Sequence, residues 1–311
     1  MKNILVTGGC GYIGTTLVPK LVEKKFNITV LDNFLFNQQV FSQLYKFPNF
    51  EIIKGDVRDE KTVKSLVKKN DVIIPLAALV GAPMCDQDPF SAKTVNSDAI
   101  GLLSKIISND QIIIMPVSNS GYGIGEKNKE CDETSNLKPI SLYGRSKVEA
   151  ENYIMQRKNS ISLRLATVFG MSERMRIDLL VNNFVYKALT DQSILIFEGH
   201  FKRNFIHIQD VTDAMIFCLE NFEKMKDNIF NVGLDSANVS KIELANLIKK
   251  FIADFTIIES EIGKDPDKRD YIVSNKKIMN KGFMPQYDLE FGIKELIKGL
   301  KFLSKSSASN V

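Results

Sequence analysis

Along the first half of the chain, short apolar runs rich in β-branched residues alternate with stretches whose apolar positions recur every three or four residues. The runs are "NILVTG", "NITVLDN", "FEIIKGDV", "DVIIPLAA", "QIIIMPVSNS" and "ISLRLATVFG". Between them, "TTLVPKLVEKK" sets Leu17, Val18, Leu21 and Val22 on one helical face and "DEKTVKSLVKK" reads the same way, with further helices predicted around 92–108 and 144–157. Strands that are apolar on both faces and separated by helices predict a parallel sheet covered on both sides. Right-handed crossovers then make it a doubly wound, Rossmann-type α/β domain.

After about Gly170 the alternation loosens. "DLLVNNFVYKAL" and "IELANLIKKFI" predict helices, and "SILIFEG" and "FTIIES" predict strands. "RNFIHIQDVTDAMIFCLENF" predicts a strand feeding a helix that Asp210 caps. The expected division is a Rossmann domain over 1–170 and a smaller C-terminal α+β lobe over 171–311, with 205–220 the candidate for a return to the first domain. The polar tail "SKSSASNV" is expected to fray.

Composition narrows the function classes. With 311 residues, 44% hydrophobic and 25% charged, the chain can build one large core or two ordinary ones. Its net charge of +4 comes from scattered lysines without a basic stripe, so nucleic acid is not an expected partner. The run "VIIPLAALVGAP" is too short to cross a bilayer and contains proline, and Met1-Lys2-Asn3 leads straight into a strand, so neither a membrane anchor nor a leader is expected. Cys10, Cys85, Cys131 and Cys218 lie far apart with no CxxC pair, which favours a reducing cytoplasm over a disulfide framework. His200 and His207 lack metal-like partner spacing, so no metal is expected.

Candidate chemistry starts at "VTGGCGYIGTTL". Gly8 suits a tight turn, Gly11 lets a phosphate approach the backbone, and Gly14 allows close helix–strand packing. Tyr12 and Ile13 in the same turn are expected cofactor contacts, and the helix that follows offers N–H groups and a dipole that favour an anion. Asp32, with Asn33 beside it, ends the second strand. A carboxylate there accepts hydrogen bonds from an adenosine ribose and repels a 2′-phosphate, which points to NAD rather than NADP; the alternative for Asp32 is a turn start. "SLYGRSKVEAENYIMQ" sets Tyr143 and Lys147 four apart on one helical face. A phenol ordinarily ionises near pH 10, so proton transfer near neutrality needs a lowered pKa, which a nearby ammonium and a positive nicotinamide ring both favour. Tyr143 then takes or returns a hydroxyl proton while hydride moves. Ser118 in "PVSNSGYG" is the expected partner of the substrate oxygen, with an ST turn as its alternative reading.

The segments "TGGCGYIG", "GDV", "PLAA", "SNSGYG", "YGRSK", "RLATVFG" and "RNFIHIQD" follow one another in this order. In them the chain resembles the extended short-chain dehydrogenase/reductase family, the NAD-dependent sugar-nucleotide epimerases and dehydratases. The resemblance implies that Ser118, Tyr143 and Lys147 are catalytic, that Asp56 and Val57 flank the adenine, and that Leu76, Ala77 and Ala78 lie along the cofactor. It further implies that Arg203 and Arg269 clamp the diphosphate of a nucleotide-sugar substrate, work that suits the forked guanidinium. A homodimer joined through the helices near 92–108 and 144–157 is implied as well. Ser120 stands two before Tyr122, where family dehydratases and decarboxylases carry Glu and the 3,5-epimerase/4-reductases carry Cys. That leaves oxidation or reduction at C4, or 4-epimerisation. More narrowly, "IIPLAALVGAPMC", "SNSGYGIGEK", "RLATVFGMSERMRIDLLVNNF" and "GKDPDKRDY" are similar to bacterial GDP-D-glycero-D-manno-heptose 4-dehydrogenases. This likeness implies oxidation of a GDP-heptose to its 4-keto form for capsular polysaccharide, with NAD held tightly; a UDP-glucose 4-epimerase-like reaction is the alternative.

Overall fold

The computed structural model describes residues 2–126, 129–260, 262–263 and 269–303. The tail expected to fray, 304–311, and residues 264–268 of "GKDPDKRDY" lie outside them. The chain begins β1 (Asn3–Thr7), α1 (Gly14–Glu23), β2 (Asn27–Asp32), β3 (Phe50–Lys54), α2 (Glu60–Val67), β4 (Val72–Pro75). It continues α3 (Ala82–Gln87), α4 (Pro89–Lys93), a π turn (Thr94–Asp98), α5 (Ala99–Ile106), β5 (Ile112–Ser118), β6 (Glu130–Cys131), α6 (Leu142–Met155), β7 (Ser160–Leu165), β8 (Thr167–Phe169). The remainder runs α7 (Leu180–Thr190), β9 (Ser193–Phe197), β10 (Lys202–His207), α8 (Ile208–Glu220), α9 (Phe222–Met225), β11 (Asn228–Val232), β12 (Asn238–Ser240), α10 (Lys241–Lys249). It closes with β13 (Thr256–Ser260), β14 (Ile272–Val273), α11 (Lys276–Met279) and α12 (Leu289–Leu300).

Seven strands form one parallel sheet in the order β11-β7-β5-β4-β1-β2-β3. Alternation along each strand splits the core into two layers. Ile4 and Val6 of β1 face a cluster with Leu17, Val18 and Leu21 of α1 and Val211 and Met215 of α8. Leu5, between them, faces Leu103 of α5 and Ala150 and Ile154 of α6. This is the doubly wound α/β arrangement. After β3 the chain crosses to the far side of β1, so the sheet opens a crevice at the carboxyl ends of β1 and β4, where such folds bind ligands. A separate core holds Phe184, Ile196, Phe205, Leu244, Ile293 and Leu296. Among the described residues no helix is long and apolar enough to cross a membrane.

The structure departs from the sequence expectation in three places. The single run "ISLRLATVFG" becomes two strands: β7 pairs with β5 and β11, Ala166 N–H donates to Val232 O (2.9 Å), and β8 turns away to pair with β10. A continuous apolar run carries no mark of where it changes sheet. Second, residues 228–232, which fall inside the expected lobe, supply the edge strand of the central sheet; α8 lies within 205–220, the candidate return, and packs onto α1 with Lys20–Asp213 (2.6 Å) and Lys24–Glu220 (2.7 Å) bridging them. Third, Asp210 is not the cap of α8. His207 occupies that position, its Nδ1 accepting from Gln209 N–H (3.3 Å), while the Asp210 carboxylate accepts from Gln286 N–H (2.7 Å) and Tyr287 N–H (3.1 Å). His207 Nε2 then faces Glu295 (3.0 Å) inside a ring cluster of Phe169, Tyr287 and Phe291, a packed structural histidine.

Candidate active site

The carboxyl ends of β1, β2, β4, β5 and β7 border a cleft of about 600 Å³. All the site positions taken from the sequence line it except Arg203. That arginine is 3% exposed, with its guanidinium 5.8 Å over the ring of Tyr271 and Nη1 donating to Lys202 O (2.9 Å).

At one end the glycine turn connects β1 to α1. Gly8 has φ +67°, and a methyl group there would run into the Ala77 backbone at the end of β4. A methyl on Gly14 would overlap the Gly9 backbone, so this glycine brings helix and turn together. Gly11 differs: its added carbon would meet only Gly8 O, at 3.2 Å, and lines the cleft. No side chain caps the N-terminus of α1 and no acidic residue occupies its first turn. Asp32 is 7% exposed and ties β2 to the turn, with Oδ2 accepting from Cys10 N–H (3.0 Å) and Oδ1 from Phe34 N–H (2.8 Å). Burial raises its carboxyl pKa, against those hydrogen bonds and one from Gln38. The bond to Phe34 is an Asx turn, so Asp32 starts a turn and also faces the cleft. Asp56 is held below the usual carboxylate range by Arg58, which grips it through Nε (2.9 Å) and Nη2 (2.6 Å).

At the other end α6 delivers Tyr143 and Lys147. Ser141 caps the helix by accepting from Gly144 N–H (3.0 Å), which fixes where Tyr143 enters the cleft. The Ser118 hydroxyl at the end of β5 faces the phenol and draws its pKa down, the weakest of the influences on it. Ser118 Oγ also accepts from Ser120 N–H (3.1 Å), the ST turn that the sequence left open. Lys147 is 5% exposed, and burial lowers its pKa to about 8. The phenol moves opposite to the expectation: burial pushes it up to about 12, against the pull of Arg176, Arg269 and Ser118. Lys147 is not the group that draws it down. Three side chains in this arrangement were not anticipated. Arg174 and Arg176 in "SERMRID" are both buried and line the cleft, with Arg176 gripping Asp178 through Nε (3.2 Å) and Nη2. Two arginines with a single residue between them, shortly after β8 and Gly170, were the available signal. Phe36 is the third, from the aperiodic aromatic stretch after β2.

Residues 4–233 match the sequence profile of the NAD dependent epimerase/dehydratase family. Over 308 residues the chain is 29% identical to a protein of Methanocaldococcus jannaschii with a provisional UDP-glucose 4-epimerase assignment, covering 96% of this chain and 98% of that one. It is 25% identical to UDP-glucuronic acid decarboxylase 1 of Xenopus tropicalis, covering 99% of this chain and 74% of the relative. In fold it is similar to the UDP-glucuronic acid 4-epimerase of Bacillus cereus, solved with UDP-glucuronic acid and NAD (TM-score 0.84, 22% identity, 96% and 99% of the two chains). It is likewise similar to the UDP-glucose 4-epimerase of Thermotoga maritima, solved with UDP-glucose (TM-score 0.83, 24% identity, 96% and 98%). With its family profile spanning most of its length, this chain belongs to the NAD dependent epimerase/dehydratase family.

Proposed function

We propose that this protein binds NAD in the cleft and oxidises the C4 hydroxyl of a nucleotide-linked sugar, with a GDP-heptose as substrate and the 4-keto sugar, a capsular polysaccharide precursor, as product. The observation that carries the reading is the convergence of Ser118, Tyr143 and Lys147 at one end of a cleft whose other end is a glycine turn at an uncapped helix N-terminus. The residues fit the dinucleotide. Gly11 leaves a cradle that a side chain would fill, the first turn of α1 favours a diphosphate, and Asp32 stands where a ribose hydroxyl would donate to it.

When bound, NAD supplies the hydride acceptor. Tyr143 removes the proton of the C4 hydroxyl, Ser118 holds that oxygen, and Lys147 donates to the nicotinamide ribose. With its phenol near 12, Tyr143 is protonated at neutral pH; Arg176, Arg269 and the positive charge of the oxidised cofactor all draw it toward the phenolate the step needs. Asp56 and Val57 would flank the adenine, Leu76 to Ala78 would lie along the cofactor, and Arg269 would hold the substrate diphosphate. Buried under Tyr271, Arg203 fits a part in shaping that pocket.

The second reading is 4-epimerisation through the same keto intermediate, which the likeness to the Methanocaldococcus protein favours. The residue two before Tyr122 is Ser120, neither the acid nor the thiol that the family resemblance ties to water elimination or to proton movement at C3 or C5. The family resemblance supports a homodimer formed through the helices near 92–108 and 144–157, which are α5 and α6. The test is absorbance in the NADH band as GDP- and UDP-sugars are added to protein whose bound nucleotide has been identified. A lasting rise with GDP-heptose bears out the oxidation. No lasting rise, with a C4-inverted product by NMR, establishes the epimerase, and no binding of any sugar nucleotide overturns both.

A further inference from the structure

Two walls of the cleft are fastened together near the glycine turn by contacts that the reaction does not require. One wall is the segment after β8. Ser172 Oγ donates to Tyr12 O (2.7 Å) and Arg174 N–H donates to Thr15 Oγ1 (3.3 Å), so this segment lies on the first turn of α1. The other wall is residues 33–47, which leave β2 at Asp32. This stretch has three non-glycine residues in the left-handed region, Phe34 (φ +56°), Asn37 (φ +48°) and Phe41 (φ +67°). Such conformations persist only where the surroundings over-determine them, and they cluster at ligand clamps. Here the anchors are the Asp32 carboxylate on Phe34 N–H (2.8 Å) and Glu173 Oε1 on Phe41 N–H (3.0 Å). Between the anchors the Arg174 guanidinium stacks 4.5 Å over the ring of Phe36, and both side chains line the cleft.

We propose that Phe36 and Arg174 form a clasp closing over the diphosphate of the bound dinucleotide, with the guanidinium serving the anion alongside the backbone N–H groups of the glycine turn. The clasp rests on the dinucleotide reading above. The stack joins the wall that carries Asp32 to the wall that lies on α1, so a dinucleotide spanning Asp32 and Tyr143 passes beside it. Burial, then Arg176, hold Arg174 below its ordinary pKa while Asp178 pulls the other way; a diphosphate beside Arg174 acts in the same direction as Asp178. A planar guanidinium suits both tasks, since its face stacks on the ring while its edge donates to phosphate oxygens. Cofactor release then requires the stack to part, and the two walls to separate with it.

The test is the release rate of NADH from the wild-type protein, Phe36→Leu and Arg174→Gln, read as loss of nicotinamide fluorescence after mixing the NADH complex with excess NAD. The clasp predicts that Phe36→Leu releases NADH about five to thirty times faster, the value of a partly desolvated cation–π contact. Arg174→Gln should release it faster still and weaken the salt dependence of binding, because one charge contact is gone. Wild-type release rates in both variants overturn the clasp. Should Arg174→Gln fail to fold, Phe36→Leu decides alone, since Phe36 is only half-buried. If the wild-type protein binds no NADH at all, the dinucleotide reading itself falls.

Discussion

Lys147→Met should make the folded protein more stable while abolishing its chemistry. Lys147 is 5% exposed, and burial holds its ammonium at about 8 against an ordinary 10.5. At 1.36 kcal/mol per pH unit this difference is a penalty of about 3 kcal/mol for keeping the charge at pH 7. Methionine has a similar length, no charge and adaptable packing, so it removes the penalty without opening a cavity. The pH dependence identifies the cause. Between pH 8 and 10.5 the unfolded chain holds this proton and the folded chain has lost it, so wild-type stability rises with pH relative to the variant across that window. Below pH 8 the difference is constant and full. Thermal melts of cofactor-free protein should therefore put Lys147→Met about 5 °C above wild type at pH 7, with the gap closing toward pH 10.5. A variant no more stable than wild type at pH 7, or a gap that ignores pH, would refute a buried ammonium as the source. The outcome bears on function as well: a site that destabilises its own fold retains Lys147 for what it does to ligands.

Four further outcomes follow from the same geometry. Tyr143→Phe should lower single-turnover oxidation about a thousandfold while NADH binding persists, measured by rapid-mixing absorbance. Gly11→Ala should fold with nearly unchanged Tm yet bind NAD weakly by calorimetry, whereas Gly14→Ala, which meets the Gly9 backbone, should fail in thermal melts first. Arg176→Gln removes the largest pull on the Tyr143 phenol toward ionisation, so the rising limb of the pH–rate profile should move to higher pH; a limb that stays put or moves lower removes Arg176 from the account. Arg164→Leu strands the Glu151 carboxylate, 2% exposed and otherwise bonded to Ser162 (2.6 Å), and should cost about 3–5 kcal/mol in urea unfolding.

Much of the architecture could be read from the sequence because it depends on local pattern. Alternation of apolar runs and helical faces is a property of neighbours in the chain, and it predicts the parallel sheet and α1, α2 and α6 closely. The glycine spacing and the Tyr143–Lys147 pair are equally local. What could not be read depends on distant partners. The break in "ISLRLATVFG" exists because β10 arrives to pair with β8, and the capping of α8 by His207 leaves Asp210 free to bind a loop 76 residues away. The aromatic stretch at 33–47 has no period to report, and its conformation comes from anchors at Asp32 and Glu173. The ionisation of Tyr143 inverted its expectation for the same reason. Helical spacing places Lys147 beside it, but burial sets the phenol's pKa and the cations drawing it down come from other segments.

In the proposed reaction hydride leaves C4 of the sugar for the nicotinamide ring of a cofactor held in this cleft. Mass spectrometry of the cofactor recovered after incubation with a C4-deuterated sugar nucleotide follows that transfer by isotope. Deuterium is expected on the nicotinamide ring, lasting in GDP-heptose oxidation and transient in epimerisation, with Tyr143→Phe showing none on the same timescale. A wild-type protein that binds the sugar nucleotide and turns it over with no deuterium ever reaching the cofactor would contradict that transfer.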